Sequence, residues 1–251
     1  DRVFFVPGNH EVHRSAVERL WSQQVGIEQN LNSREKLNEW YINQEDLEFV
    51  HAKTNGFHEF SQLFGDTFKT KRNLFFTTVY LRQFDTAIAL INTSWLSVAG
   101  HKQQNDKGRL LFPEQALRDA ADSLPDASLN VLVGHHPIDW SAEFVQDDFR
   151  NIISRYFDVY MTGHLHASRP QQFITPQGSS FQNQVGALFM DRERLNSYAI
   201  LEALPGRKAK KVIVRTYFDE REAFAEGVNL SEDGVFFPSE KDKEDFRLMP
   251  E

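Results

Sequence analysis

The sequence predicts an α/β fold, and three observations support that prediction. Three short apolar segments, at residues 3–6, 129–133 and 159–161, are each followed closely by glycine and then by asparagine or histidine. Amphipathic helical patterns separate these segments along the chain. The chain has 251 residues, of which 40% are hydrophobic, and this is enough for one sizeable core. Strands that alternate with helices are typical of an α/β protein.

The first part of the chain is predicted to form one strand and then a helical insert. Residues 3–6 are apolar and are followed by a proline–glycine pair that ends the strand. Residues 15–70 carry helical patterns, in which Asn32 and Glu35 have the spacing of a capping box. Because the insert lies between two of the glycine-containing segments, we expect it to influence which substrates reach them.

Aromatic side chains lie on the apolar faces of the predicted insert helices. Trp40 and Phe57 belong to two sets of apolar residues that recur at helical spacing. Such aromatic residues most often pack in a core or under a cap, which is the interpretation we favour for both. Stacking on a substrate is the alternative.

The middle of the chain is predicted to form a β-hairpin followed by alternating helices and strands. Asp85 lies between two apolar segments, where a turn residue is expected. The predicted strands are 74–84, 86–92, 129–133 and 159–161, and the predicted helices are 113–124 and 144–157. Ser94 or Trp95 is expected near a functional site, and Asp139 and Trp140 are expected on its rim.

The last part of the chain turns to an all-β pattern. The strand candidates are 173–175, 180–185, 198–204 and 212–218. The basic run at 207–211 links two of them and is typical of a solvated hairpin tip, with contact to nucleic acid as the alternative. Residues 231–251 are charged and are predicted to be a tail or linker that leaves the domain.

Composition excludes several classes of site. There is no cysteine, so a disulfide framework and a thiolate metal site are excluded. The net charge of −8 gives no general attraction to nucleic acid, although a local basic groove stays open as an alternative. No apolar run reaches membrane-spanning length and no secretory signal is recognised, so we expect a cytoplasmic protein with no membrane partner.

Three motifs place potential metal ligands directly after the apolar segments. They are GNHE at 8–11, GHHP at 134–137 and GHLH at 163–166. Neutral imidazole is the commonest transition-metal ligand, although a single histidine is more often a hydrogen-bonded core or loop residue. Three such motifs at the carboxyl edge of a sheet would converge. Gly163 is expected to let the backbone approach closely, so that His164 and His166 point at two neighbouring centres.

This ordered set of motifs resembles the last three motifs of the calcineurin-like metallophosphoesterases. The resemblance implies a two-sheet β-sandwich flanked by helices, here with a helical insert and incomplete at its amino-terminal side. It also implies hydrolysis of phosphate esters at two divalent metal ions, which clamp an in-line displacement at phosphorus. Nitrogen and oxygen donors without sulfur suit Mn²⁺, Fe or Zn²⁺, and we favour Mn²⁺ by resemblance.

The resemblance assigns metal ligands motif by motif. Asn9, His135 and His164 would bind one metal ion, and His166 would bind the other. In the family, the second ion also takes an aspartate and a histidine from upstream motifs, and a further aspartate bridges the two ions.

The resemblance also assigns side chains to chemistry and to substrate binding. His10 takes the place of the acid that protonates the departing oxygen, and Glu11 would orient it. Arg14 could reach a phosphate oxygen, and a solvated arginine at the start of a helix is an equal alternative. His136, the neighbour of His135, is expected to contribute to substrate binding.

The sequence departs from the family pattern at its start. The family begins with Asp-x-His and then Gly-Asp, and neither precedes GNHE here. Gly65-Asp66 comes after GNHE and is interpreted as a helix end with a turn residue. We therefore expect residues 1–230 to be the carboxyl-terminal portion of a catalytic domain in a multidomain protein, holding at most one weakly bound metal. If two ions bind tightly, Asp66, Asp106 and Asp139 are the first alternative ligands.

Three functions fit these observations. The first is a phosphodiesterase acting on nucleotides or nucleic acid, and the second is a phosphomonoesterase, including a protein phosphatase. The third is a non-catalytic regulatory module of a larger protein. The motifs do not choose a substrate, but relative hydrolysis of diesters and monoesters separates the first two functions, and retained metal separates both from the third.

Overall fold

The computed structural model of the protein describes residues 3–64, 69–98, 105–188, 196–227, 231 and 233–248, in which helices and strands alternate. The helices are α1 (Arg14–Arg19), α2 (Trp21–Asn30), α3 (Arg34–Ile42), α4 (Leu47–Gln62), α5 (Glu114–Asp122), α6 (Glu143–Tyr156) and α7 (Glu240–Arg247). The strands are β1 (Lys69–Arg72), β2 (Phe76–Leu81), β3 (Thr86–Ile91), β4 (Leu129–Val133), β5 (Val159–Thr162), β6 (Arg169–Thr175), β7 (Gly178–Gln184), β8 (Ser197–Leu204), β9 (Ala209–Phe218), β10 (Ala223–Glu226) and β11 (Val235–Phe236).

The described strands form two sheets. The larger sheet has the order β1-β2-β3-β4-β5-β7-β6, in which β3, β4, β5 and β7 run parallel and the partners at both edges are antiparallel. In the smaller sheet, β9 pairs antiparallel with β8, β10 and β11. The parallel arrangement brings the loops that follow β4 and β5 to the same edge of the larger sheet.

Both faces of the larger sheet are buried, because side chains alternate between the two faces of a strand. Leu132 packs among the helices, whereas its neighbour Val131 joins Val159 in a cluster with Val212 and Val214 of the second sheet. Full burial of an aliphatic side chain of this kind contributes about 1.5–3 kcal/mol. The predicted two-sheet sandwich flanked by helices is confirmed.

The helical insert is confirmed in α1 to α4, and its aromatic residues form part of the core. Trp40 is 3% exposed and stacks on the fully buried Trp95 with ring centroids 4.8 Å apart. Trp95 was expected near the site, but its Nε1 donates to the Leu111 carbonyl oxygen at 2.6 Å, which anchors it in the core. Phe57 is half-buried.

Two details near the amino terminus differ from the predictions. Residues 3–7 belong to neither sheet, so the predicted strand at 3–6 is wrong. Instead, Phe5 packs against Phe60 and Phe64, with centroids 5.0 and 4.6 Å away. The apolar character of this segment correctly predicted that it packs against other residues. A strand also requires a neighbouring strand to pair with, and an apolar pattern does not predict that. The cap of α3 is Ser33, whose Oγ accepts from the Lys36 N–H at 3.4 Å, one residue later than predicted.

The predicted tail or linker is folded onto the second sheet, so that prediction is wrong for the described residues 233–248. Strand β11 pairs with β9, and α7 packs against β9. The Asp242 carboxylate accepts from the Lys210 N–H at 2.8 Å and is 8% exposed. The prediction failed because this segment is mostly charged, and its few apolar residues were given too little weight. Among them, the Phe237 and Phe246 rings pack with centroids 6.0 Å apart.

The helices that the structure describes are too short for a membrane span. The longest described helix, α4, has 16 residues, whereas crossing a bilayer takes about 20 consecutive apolar residues. Within the described ranges, no helix has both the length and the apolar character that a span requires.

Candidate metal centre

The three motif loops meet at one edge of the larger sheet. GHHP follows β4 and GHLH follows β5, and these strands are parallel neighbours. The GNHE loop reaches the same edge without a strand of its own. It is held there by Ser94 in the turn that follows β3, whose Oγ donates to the Pro7 carbonyl oxygen at 2.8 Å. Ser94 therefore lies at the site, as expected.

His135 lies at the centre of the predicted ligand set. Its Nε2 is 3.1 Å from Asn9 Oδ1 and 3.1 Å from His164 Nδ1. Each of His135, His136 and His164 offers one ring nitrogen within 4.8 Å of the others. The fold therefore brings together the three residues predicted to share one metal, which are Asn9, His135 and His164. They come from loops that are far apart in the sequence.

The protonation state of these imidazoles suits metal binding. Burial, and to a smaller extent the neighbouring His164, His10 and His166, lowers the pKa of His135 to about 3. Burial also lowers the pKa of His164 to about 4, with Asp106 opposing the change. Neutral imidazoles have a free lone pair at pH 7, which is what a metal ion requires. The donor set of two nitrogens and one amide oxygen fits a divalent transition metal.

His136 is enclosed rather than open to substrate. Its ring is 1% exposed and its Nδ1 lies 3.0 Å from Thr93 Oγ1. Its carbonyl oxygen accepts from the Tyr160 hydroxyl at 2.7 Å. Among the described residues, its Nε2 is buried without a hydrogen-bond partner. Burial argues against the expected substrate contact and favours a role as ligand or as support for His135. Thr93 and Tyr160 were not predicted, although Thr93 follows β3 at the same edge.

Two glycines allow the loops to approach each other, and Gly163 is not one of them. A Cβ on Gly8 would lie 2.9 Å from Glu11 Oε2 and 2.9 Å from His135 Cε1. A Cβ on Gly134 would lie 3.0 Å from Ile91 Cγ1 and from the Tyr160 hydroxyl. A Cβ on Gly163 would meet His135 Nδ1 at an ordinary 3.8 Å. The close approach expected at Gly163 therefore occurs at the other two motifs.

The GHLH loop carries local backbone strain at its histidines. His164 and His166 have φ angles of 71° and 51°, in the left-handed region that non-glycine residues rarely adopt. The Leu165 N–H donates to the Gly163 carbonyl oxygen at 2.9 Å, which closes a γ-turn around His164. Such conformations cost about 1–3 kcal/mol each and persist where the surrounding structure enforces them, often at functional sites.

A comparison with known families matches this arrangement. The sequence profile of the calcineurin-like phosphoesterases matches residues 1–168, which include all three motif loops and extend over more than half of the chain. The chain belongs to the calcineurin-like phosphoesterase family. Members of this family bind divalent metals and hydrolyse phosphate esters. No curated protein matches the sequence.

The remaining family positions lie around the histidine cluster. His10 is exposed, and its charge affects the pKa of both His135 and His164. The Glu11 carboxylate accepts from the Gly8 N–H at 2.8 Å, so it closes the GNHE loop on itself. His166 lies outside the cluster of three histidines, although it too affects these pKa values. Their assigned roles stay predictions.

Trp140 contacts the histidine cluster, whereas the structure shows only that Arg14 and Asp139 are exposed. Trp140 is half-buried, and its ring centroid is 3.9 Å from that of His164, at an interplanar angle of 79°. Arg14 and Asp139 are exposed, and Arg14 begins α1. Asp66, one of the alternative ligands, lies outside the described residues.

Proposed function

We propose that this chain is a metal-dependent phosphodiesterase that acts on nucleotides or nucleic acid. Family membership supports phosphoester hydrolysis. The observation that carries the proposal is the convergence of Asn9 Oδ1 and His164 Nδ1 on His135 Nε2, each at 3.1 Å. These are lone-pair donors from three separate loops, and an arrangement of this kind is expected where a cation binds.

The proposed cofactors are two divalent metal ions, with Mn²⁺ favoured over Fe and Zn²⁺. Asn9, His135 and His164 would hold one ion, and His166 would contribute to the second. When bound, such ions supply Lewis-acid stabilisation of the phosphoryl oxygens and an activated water. Among the described residues, Asn9, His135 and His164 give a converging donor set for the first ion.

Two side chains of the GNHE loop, His10 and Glu11, would supply and position the proton that the departing oxygen takes up. His10 lies on the exposed side of the GNHE loop, where it can donate a proton to the departing oxygen of an ester. Glu11 holds this loop closed through its bond to the Gly8 N–H. General acid catalysis by such a group contributes about 10²–10⁴-fold to the rate.

A flat aromatic surface beside the ligands supports a nucleotide substrate. Trp140 places its ring 3.9 Å from the His164 ring, and the side chain is only partly covered. Stacking of a base on an aromatic side chain contributes about 1–3 kcal/mol. A phosphoprotein substrate would not need such a surface.

Two chromogenic esters test the proposal. In the presence of Mn²⁺, we expect faster hydrolysis of bis-p-nitrophenyl phosphate than of p-nitrophenyl phosphate. Faster hydrolysis of the monoester would identify a phosphomonoesterase. If neither ester is hydrolysed and no metal is retained, the chain is a non-catalytic module, and the proposal is wrong.

A further inference from the structure

A fully buried lysine links the helical insert to the loops beside the metal centre. Lys53 of α4 is 0% exposed, and its Nζ donates to Gln24 Oε1 at 2.7 Å and to the Ser97 carbonyl oxygen at 2.9 Å. Its own carbonyl oxygen accepts from the His13 N–H at 2.9 Å, directly after the GNHE loop. Burial lowers the pKa of Lys53 to about 7, and the Asp106 and Glu28 carboxylates oppose this change. Lysine is almost never buried in this way without a charged partner.

Asp106 is the carboxylate with the larger opposing effect on Lys53, and its own contacts are well defined. Its carboxylate is 5% exposed and accepts hydrogen bonds from Ser97 Oγ and from the Val98 N–H, the latter at 2.8 Å. Ser97 therefore contacts both charges, through its carbonyl oxygen to Lys53 and through its hydroxyl to Asp106. The negative charge of Asp106 also affects the metal centre, because it opposes the lowering of the His164 pKa.

The loop that contains Asp106 holds the backbone of Trp140, whose indole packs on His164. The Arg109 N–H donates to the Asp106 carbonyl oxygen at 3.1 Å, which closes a turn. Within that turn, the Gly108 N–H donates to the Trp140 carbonyl oxygen at 2.9 Å. The Trp140 ring then lies 3.9 Å from the His164 ring. A shift of Asp106 would be transmitted through these contacts to His164.

We propose that Asp106, which is linked to Lys53 through Ser97, is a positioning residue that fixes Trp140 and His164 for metal binding. The inference rests on the proposed function, because His164 acts in it as a metal ligand. Groups that orient a ligand change metal affinity by about 10–100-fold when they are removed. A purely structural tie between the insert and the domain would instead lower stability and leave the metal affinity of the folded protein unchanged.

The variant Asp106→Asn tests the proposal, because it keeps the side-chain shape and removes the charge. Asp242→Asn is a matched control, since Asp242 is 8% exposed and likewise accepts from a serine hydroxyl, Ser239, and from a backbone N–H, Lys210. Titration of the metal-free proteins with Mn²⁺ alone measures affinity. We expect at least about 10-fold weaker binding in Asp106→Asn and wild-type binding in Asp242→Asn.

A second variant keeps the test decisive if Asp106→Asn leaves the buried lysine unpaired and unfolds the protein. The double variant Lys53→Met with Asp106→Asn removes both buried charges, so neither is left without its partner. It should show the same weakened Mn²⁺ binding in a folded protein. Wild-type affinity in either folded variant would overturn the proposal.

Tryptophan fluorescence gives a readout that a purely structural role would not change. The difference between the emission of the wild type and of Trp140→Phe isolates the indole beside His164. Measured in the Asp106→Asn background, this difference should shift to longer wavelength, and it should stay unchanged with Asp242→Asn. If the wild type binds no Mn²⁺, the proposed function fails together with this inference. If the wild type binds but Asp106→Asn binds equally well, only this inference fails.

Discussion

The imidazole of His135 touches both other donors of the candidate centre, and this makes it the most informative single residue. Its Nε2 is equally distant from Asn9 Oδ1 and His164 Nδ1, at 3.1 Å. Burial keeps it neutral at pH 7, so the same atom that contacts its neighbours is free to bind a cation.

Replacing His135 or His164 by alanine should remove the metal and nearly all hydrolysis. Loss of a group that only orients a ligand costs about 10–100-fold, so loss of a ligand should cost more than about 100-fold. Metal analysis and diester hydrolysis measure both effects. His58→Ala is the control, because His58 is also a half-buried imidazole whose pKa is lowered to about 4, mainly by burial. Normal metal content in His135→Ala would exclude this ligand assignment.

Replacing His10 by alanine should spare metal binding and slow hydrolysis by about 10²–10⁴-fold for poor leaving groups. Good leaving groups need less protonation, so their hydrolysis should fall less. A series of aryl phosphodiesters of graded leaving-group pKa measures this difference, with the neighbouring exposed residue changed in His13→Ala as the control. Equal losses across the series would show that His10 acts in another way, such as by binding phosphate.

The lowered pKa values of the centre predict a dependence of stability on pH in metal-free protein. His135 and His164 have folded-state pKa values of about 3 and about 4, below the ordinary value of 6.5. The unfolded state therefore binds more protons between these values and pH 6.5, so stability is full above pH 6.5 and falls as the pH decreases. Urea unfolding in chelator at pH 7.5, 6 and 5 measures this fall. It should be smaller in His164→Gln, and equal falls in the two proteins would contradict the assignment.

At the scale of the elements, the site depends on how closely the loop after β4 approaches the GNHE loop. The structure locates this approach at Gly8, where a Cβ would lie 2.9 Å from His135 Cε1. The corresponding distance at Gly163 is an ordinary 3.8 Å to His135 Nδ1.

Gly8→Ala should therefore displace His135 and weaken metal binding, whereas Gly163→Ala should be tolerated. Overpacking of this kind costs about 1–3 kcal/mol. Thermal unfolding and Mn²⁺ affinity of the two variants measure the contrast. Equal behaviour of the two variants would mean that the loops do not approach in the way described.

The sequence predicted the elements whose patterns are local. Strand β4 matches its predicted bounds, and the hairpin turn at Asp85 is confirmed with a φ of 46°. The candidate ligands Asn9, His135 and His164 were predicted from the family resemblance of motifs that each follow an apolar segment. The role of Thr93 was missed, because its contact with His136 joins residues 43 positions apart and leaves no local pattern. The same reason explains the missed packing of α7, whose charged sequence concealed contacts with β9.

At the scale of the whole molecule, the two-sheet core and the helical insert both position loops at the edge of the larger sheet that carries the histidines. The parallel strands β4 and β5 deliver two of the motif loops, and the insert covers the neighbouring loops through Lys53. Family membership accounts for the motif loops, whereas the link through Lys53 and Asp106 comes from the structure of this chain.

The most direct test of the central claim is electron spin echo spectroscopy of Mn²⁺ bound to the 251-residue chain, which detects nitrogen nuclei coupled to the metal. We predict imidazole nitrogen couplings in the wild type, since His135 and His164 supply ring nitrogens to the proposed site. The bound Mn²⁺ and its nitrogen couplings should be lost in His164→Ala and should persist unchanged in the control His58→Ala. A Mn²⁺ spectrum without nitrogen couplings in the wild type would show that the metal binds elsewhere, and would contradict the account.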